Sequence, residues 1–303
     1  MIVKFPLFES ISINSREDIN RIVAKFPPYS DFNFISMFTW DIKNNMLISQ
    51  LNNNLVVRFK DYQSDDTFLS FIGDSKIDAS ISTLLTYVSS NNLGHALHLI
   101  PEHVVGLIKH PSNFIIEEDR DNHDYVVMAF KFSKLEGKNY ASKRNGINKF
   151  IGSYGDKVKV KKSAIDENTI SDIMKTFHDW QKESGKTWVE TSNELMQIEK
   201  LAEYTPDLAL NVMGIYIDDV MVAYSIYEIQ DVYAIGHSEK ALKSHAGLYD
   251  FLKHSTAQDL HIQGVQYINY EQDLGIESLR QSKMLLHPET FLKKYTISPI
   301  PKK

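Results

Sequence analysis

A chain of 303 residues, 43% hydrophobic and 24% charged, can bury a large core in one or two domains, which excludes disorder as its main state. It has no cysteine, which excludes disulfides, thiolate metal ligands and a cysteine nucleophile and fits a reducing compartment. The net charge of −6 argues against a general nucleic-acid binder. Met1–Pro6 has no signal-peptide core and no apolar run reaches bilayer length, so the expectation is a soluble, cytoplasmic protein.

In chain order, residues 31–40 form an aromatic-rich entry segment with Phe32, Phe34, Phe38 and Trp40. Residues 45–50 and 55–59, joined by Asn52-Asn53-Asn54, read as a hairpin, and residues 67–72 as a strand. Apolar residues at Ile77, Ile81, Leu84, Leu85 and Val88 predict a helix over residues 77–90. A strand at 95–100, a helix opened by Pro101, and strands at 114–116 and 125–132 complete this half. Residues 137–150 read as a basic helix. Between Lys131 and Lys162 ten lysines and arginines face only Glu136 and Asp156, a zone suited to an anionic ligand or simply to a solvated face.

The second half repeats the order. A strand at 158–162 leads to helices at 169–184 and 194–204, a hairpin at 208–217 and 220–229 around Asp218-Asp219, and a strand at 232–237. A helix at 248–260, a strand at 265–270, a helix at 276–284 and a closing strand at 288–297 follow. Both halves therefore run hairpin, strand, helix, strand, helix, strand, which indicates duplication. The expected class is α/β (α+β): residues 1–135 as one domain, 136–155 as a basic connecting helix and 156–303 as a second domain carrying the site. Each domain is expected to be a mixed, mostly antiparallel sheet flanked by helices.

This is the order of the GNAT acyltransferase fold, in which two central strands splay apart and leave a gap for amine and acyl carrier. The splayed strands here would be residues 232–237 and 265–270. The second empties into Asn269, Tyr270, Glu271, Gln272 and Asp273, beyond a strand's carboxyl end, where α/β proteins house ligands. Asp273 could equally be a helix cap. The turn Lys243–Leu248 holds the place of the pyrophosphate loop at a helix N-terminus. It contains only Gly247, so acetyl-CoA is the less favoured donor.

Three motifs carry a family resemblance: Pro27-Pro28-Tyr29-Ser30-Asp31-Phe32-Asn33-Phe34, the run from Leu135-Glu136-Gly137-Lys138-Asn139-Tyr140 through Lys143-Arg144-Asn145 to Ile147-Asn148-Lys149-Phe150, and Tyr267–Gly275 followed by Leu279-Arg280-x-x-Lys283. In that order they resemble a bacterial family similar to the C-terminal domain of phosphatidylglycerol lysyltransferase, over nearly the whole chain. The resemblance implies a tandem GNAT fold, related to Fem-type ligases, and aminoacyl-tRNA as donor substrate. It implies no firm cofactor. Possible partners are tRNA and an anionic lipid head group at the membrane surface.

Transfer from an aminoacyl ester needs positioning, a proton acceptor and oxyanion stabilisation. Glu271 or Asp273 would hold the α-ammonium or act as base, Tyr270 would donate to an oxyanion, and His237 offers a second base. Glu239 and Lys240 face the same gap in this reading, with Asn269, Gln272 and Gly247 as further substrate contacts. Arg280 and Lys283 would hold a phosphate or carboxylate, or pair with nearby acids. Lys138, Lys143, Arg144 and Lys149 would meet tRNA phosphates or anionic lipid. No metal-ligand spacing, Walker motif or nucleophile elbow occurs. The expected function is aminoacyl or acyl transfer to an amine or hydroxyl. A catalytically silent RNA- or lipid-binding protein and an acetyl-CoA-dependent N-acetyltransferase are the alternatives.

Overall fold

The computed structural model describes residues 1–60 and 66–301. The first half contains β1 (Glu9–Ser10), α1 (Arg16–Val23), α2 (Phe34–Trp40), β2 (Leu47–Leu51), β3 (Asn54–Lys60), β4 (Thr67–Ile72), α3 (Ile77–Ser90), β5 (Leu97–Pro101), α4 (Glu102–Val105), β6 (Phe114–Glu118), β7 (Asp124–Met128), α5 (Ala129–Lys134) and α6 (Ala141–Tyr154). The second contains β8 (Val158–Ser163), α7 (Glu167–Ser184), α8 (Trp188–Glu203), α9 (Thr205–Leu208), β9 (Asn211–Ile217), β10 (Val220–Gln230), β11 (Tyr233–Ala241), α10 (Leu248–Ile262), β12 (Tyr267–Asn269), α11 (Glu277–Met284), β13 (Thr290–Leu292) and β14 (Lys294–Pro299). Among the described residues no helix is long and apolar enough to cross a membrane.

Local chemistry accounts for most boundaries. Asn52 and Asn53, and likewise Asp218 and Asp219, take positive φ, the backbone of a two-residue hairpin turn matched to strand twist. Asp166 accepts from Thr169 N and starts α7. Helix α8 begins six residues earlier than the apolar pattern suggests, because Thr187 and Glu190 close a capping box ahead of it. Residues 129–132, which alternate like a strand, turn instead into α5. Ala129, Phe132 and Ser133 are the buried positions there, a helical spacing.

Two seven-stranded sheets result, in the orders β1-β2-β3-β4-β5-β14-β6 and β13-β7-β12-β11-β10-β9-β8. Among the described residues each combines antiparallel pairs with a parallel one, β4 with β5 and β11 with β12, which is the mixed sheet expected of each half. Each sheet also takes in a strand from the other half of the sequence, β14 in the first and β7 in the second. The compact units are accordingly discontinuous. The first is Met1–Tyr125, Glu271–Gln281 and Phe291–Lys303; the second is Val126–Tyr270 and Ser282–Thr290. The core of the first packs Ile81, Leu84 and Val88 of α3 on Leu69, Phe71, Leu97 and Ile297. In the second, Phe132, Phe150, Leu252 and Leu260 pack on Ile215, Tyr227 and Ile268.

Candidate active site

Strand β11 of the second unit pairs with β10 from Tyr233 to Ala241 but with β12 only over Tyr233–Ile235. Strand β12 ends at Asn269, so β11 runs on past its parallel neighbour and a gap opens at the carboxyl ends, the site class expected of such a sheet. The register slips where Tyr227 faces Gly236 and Ile226 faces Ser238, leaving His237 as the bulged residue. His237 is buried, with Nε2 3.3 Å from Glu228 Oε1, and its carbonyl accepts from Gln197 Nε2 at 3.3 Å.

Past the bulge successive side chains diverge. Glu239 pairs with Lys253 of α10, whose Nζ lies 4.4 Å from the centre of the Tyr270 ring. Lys240 pairs with Glu194 of α8, and its Nζ lies 4.4 Å from the Trp180 ring. Tyr224 and Ser238 hydroxyls are 3.4 Å apart. Burial, reinforced by Glu239, raises the phenols of Tyr249 and Tyr270, and burial with Glu194 raises that of Tyr224, so all three stay protonated at neutral pH. Lys283 donates to the Tyr270 carbonyl at 2.6 Å, and Asn269 is fully buried. Tyr270, Glu239 and Lys240 thus lie in one cluster of the second unit, joined by Lys253, Tyr249, Trp180 and Glu194, which sequence reasoning passed over, while His237 is engaged by Glu228 and Gln197. Lys253 and Glu194 look like solvated helix charges; only the strand-end address of Glu239 and Lys240 pointed toward them.

The turn Lys243–Leu248 is held by contacts from α7 and α6. Glu183 accepts from Ser244 N at 3.0 Å and Ser244 Oγ at 2.6 Å, and these bonds hold its carboxyl below the usual range against partial burial. Gly247, at φ +87°, packs on α6 so closely that a Cβ there would lie 2.0 Å from Gly146 O. Lys143 pairs at 2.9 Å with Asp250 in the first turn of α10. Gly247→Ala should destabilise the protein by roughly 2–3 kcal/mol, from the left-handed backbone and the forced separation of α6 from α10, as read by urea denaturation.

Of the basic zone, Arg144 donates to the carbonyls of Leu135 and Gly137, and Lys131, Lys157, Lys159 and Lys162 pair with Glu289, Asp218, Asp219 and Asp259. Lys138 and Lys149 stand exposed on the surface.

Glu271, Gln272, Asp273 and Arg280 fall in the first unit, within two linked sets of contacts. Arg280 donates to both Asp273 oxygens at 2.8 and 3.0 Å and to Asp121 at 2.6 Å. Tyr125 Oη donates to Asp273 at 2.5 Å, and Gly275 N donates to the same carboxylate at 2.9 Å. Burial would raise this carboxyl, but the Arg280, Tyr125 and Gly275 donors pull it down to about 2. A depressed carboxylate adds stability above its unfolded pKa and loses it as pH falls through the folded one. The advantage of wild type over Asp273→Asn, about 2 kcal/mol from this linkage, should therefore fade between about pH 4 and pH 2 in acid-titrated unfolding. Glu271, at φ +56°, accepts from Ser36 Oγ at 3.2 Å. Gln272 accepts from Lys294, which also reaches Asp124 at 2.7 Å, Ser30 at 3.3 Å and Asp31. Lys294 lay hidden in what reads as a plain closing strand.

The family model described as phosphatidylglycerol lysyltransferase, C-terminal, matches residues 24–298. A conserved protein of unknown function from Bacteroides thetaiotaomicron superposes with a TM-score of 0.82 at 24% identity, covering 99% of this chain and all of that one. L-PGS from Bacillus licheniformis superposes at 0.63 with 13% identity over 97% and 94% of the two chains, and FemX at 0.58 with 8% identity over 97% of each. In sequence, an uncharacterized protein of Mycoplasmoides gallisepticum is 26% identical over 192 residues, 61% of this chain but only 58% of that relative. At these identities the structures speak for a shared fold.

Proposed function

The chain belongs to the phosphatidylglycerol lysyltransferase C-terminal family, and on that premise we propose that it is an aminoacyltransferase acting on an aminoacyl-tRNA ester, with its site in the gap between β11 and β12. The observation that carries this reading is the cluster of Glu239, Lys253 and Tyr270 where the parallel pairing ends.

In the proposed reaction the acceptor's hydroxyl oxygen or amine nitrogen bonds to the aminoacyl carbonyl carbon. The carbonyl electron pair moves onto oxygen, and collapse breaks the ester bond to the terminal ribose of the tRNA. Glu239, paired with Lys253, takes the proton lost by the acceptor and returns it to the departing ribose oxygen. The Tyr270 hydroxyl, kept protonated by burial and by Glu239, donates to the oxyanion. Asp273 is already engaged by Arg280, Tyr125 and Gly275, so it serves the architecture of the first unit rather than proton transfer. An ester donor is preferred over coenzyme A because the turn Lys243–Leu248 has a single glycine, its Ser244 N already donates to Glu183 and its Gly247 packs on Gly146.

The test is incubation of the chain with separately charged, radiolabelled aminoacyl-tRNAs and a cell lysate, following label into lipid, protein and small-molecule fractions. Transfer of at least one amino acid is expected. No transfer of any, with label moving from acetyl-CoA instead, would overturn the reading.

A further inference from the structure

The gap holds two built cation-recognition cages, and the chain's own lysines fill both. A carboxylate beside an aromatic face is the general device for an ammonium group. Glu194 with Trp180 makes one, occupied by Lys240; Glu239 with Tyr270 makes the other, occupied by Lys253. All four ion-pairing side chains are mostly buried, at 24% exposure or less, so neither pair is a loose surface contact. The neighbouring carboxylates are engaged too, Glu183 by Ser244 and Glu228 by His237 and by Gln230 at 3.0 Å. Beside them stand the hydroxyls of Tyr224, Ser238 and Tyr249, and a further cation, Lys186, has its Nζ 5.6 Å from the Trp180 ring.

We infer that this gap takes an aminoacyl group whose side chain is uncharged, and discriminates against lysyl and arginyl groups. A second ammonium would have to expel Lys240 or Lys253 from its cage and leave that mostly buried lysine without its carboxylate. The inference rests on the aminoacyl-transfer reading for its ligand class. It differs from the family's name in the amino acid.

Amino-acid amides, which present the α-amine and carbonyl of an ester-linked aminoacyl group, are the probes. Titration calorimetry on the full chain should show leucinamide or alaninamide binding at least about tenfold tighter than lysinamide and argininamide. Lys240→Met frees Glu194 beside Trp180 and should raise lysinamide affinity about tenfold. The double variant Glu194→Gln/Lys240→Met, with a neutral cage, should keep the wild-type preference and covers the chance that a lone Glu194 impairs folding. Wild type preferring lysinamide or argininamide, a preference unmoved in Lys240→Met, or no amide binding at all would each overturn the inference. Neutral-amide preference without transfer from any aminoacyl-tRNA would uphold it as a binding preference while removing the transferase reading.

Discussion

Lys294→Met should cost about 3–5 kcal/mol of folding stability, the largest loss expected of any single substitution in the first unit. Lys294 has no solvent exposure, and its ammonium is shared between Asp124, itself fully buried, and Asp31. Burial alone would push the ammonium pKa down, yet Asp124 and Asp31 carry it above its ordinary value, so it remains charged through the physiological range. Burial and Asp124 push the Asp31 carboxyl up against the pull of Lys294. Methionine preserves the stem but leaves two carboxylates facing each other with no cation between them. A group whose folded pKa is raised binds protons more readily in the folded state, so folding is favoured as pH falls. Removing Lys294 strengthens that condition at Asp31. The variant's deficit should therefore shrink between pH 7 and pH 5, measured by urea denaturation across the range. A deficit below 1 kcal/mol at pH 7, or one that grows on acidification, would mean that the cluster is solvated and that this account of it is wrong.

The same cluster shows how far the sequence could be read. The repeated hairpin-first order was legible because strand and helix periods are local: Asn52-Asn53 and Asp218-Asp219 announce their turns, and Ile77 to Val88 announce a helix face. Partner choice is not local. Nothing in residues 294–299 says that they pair between β5 and β6, far from their neighbours in sequence. Hence Lys294 reads as a solvated end-of-chain lysine until the fold brings it to Ser30, Asp31, Asp124 and Gln272. Two of the motifs behind the family resemblance, Pro27–Phe34 and Tyr267–Gly275, contribute Ser30, Asp31 and Gln272 to this buried cluster. The third contributes Arg144, which ties down the turn after α5, and Gly146, which allows α10 to approach α6. Polar residues at a strand end signalled a site, but they do not separate groups that hold backbone in place from groups left to act. That separation depends on how many donors each carboxylate already has: five contacts around Asp273, one ammonium on Glu239.

Glu239→Gln should lower the rate of aminoacyl transfer about 10²–10⁴-fold while leaving the protein folded. Glutamine keeps the shape and an oxygen for Lys253 but cannot accept the acceptor's proton, so the loss should fall on the single-turnover rate at saturating aminoacyl-tRNA rather than on the concentration giving half-maximal rate. Tyr270→Phe removes the oxyanion donor with the ring still beneath Lys253 and should cost about 10²–10³-fold in the same step. Asp273→Asn provides the contrast. Its contacts are to Arg280, Tyr125, Arg120 and Gly275, so its effect should appear in stability and acid sensitivity, with the transfer rate of the folded fraction changed less than tenfold. Measuring all three variants for both unfolding and single-turnover transfer separates the alternatives. If Glu239→Gln transfers at the wild-type rate while Asp273→Asn, still folded, does not, proton transfer belongs to the Asp273 cluster in the first unit and the gap between β11 and β12 has another use. The opposite pattern ties the chemistry to the end of the splayed strand and leaves the family motif around Asp273 as the frame that holds its own unit together.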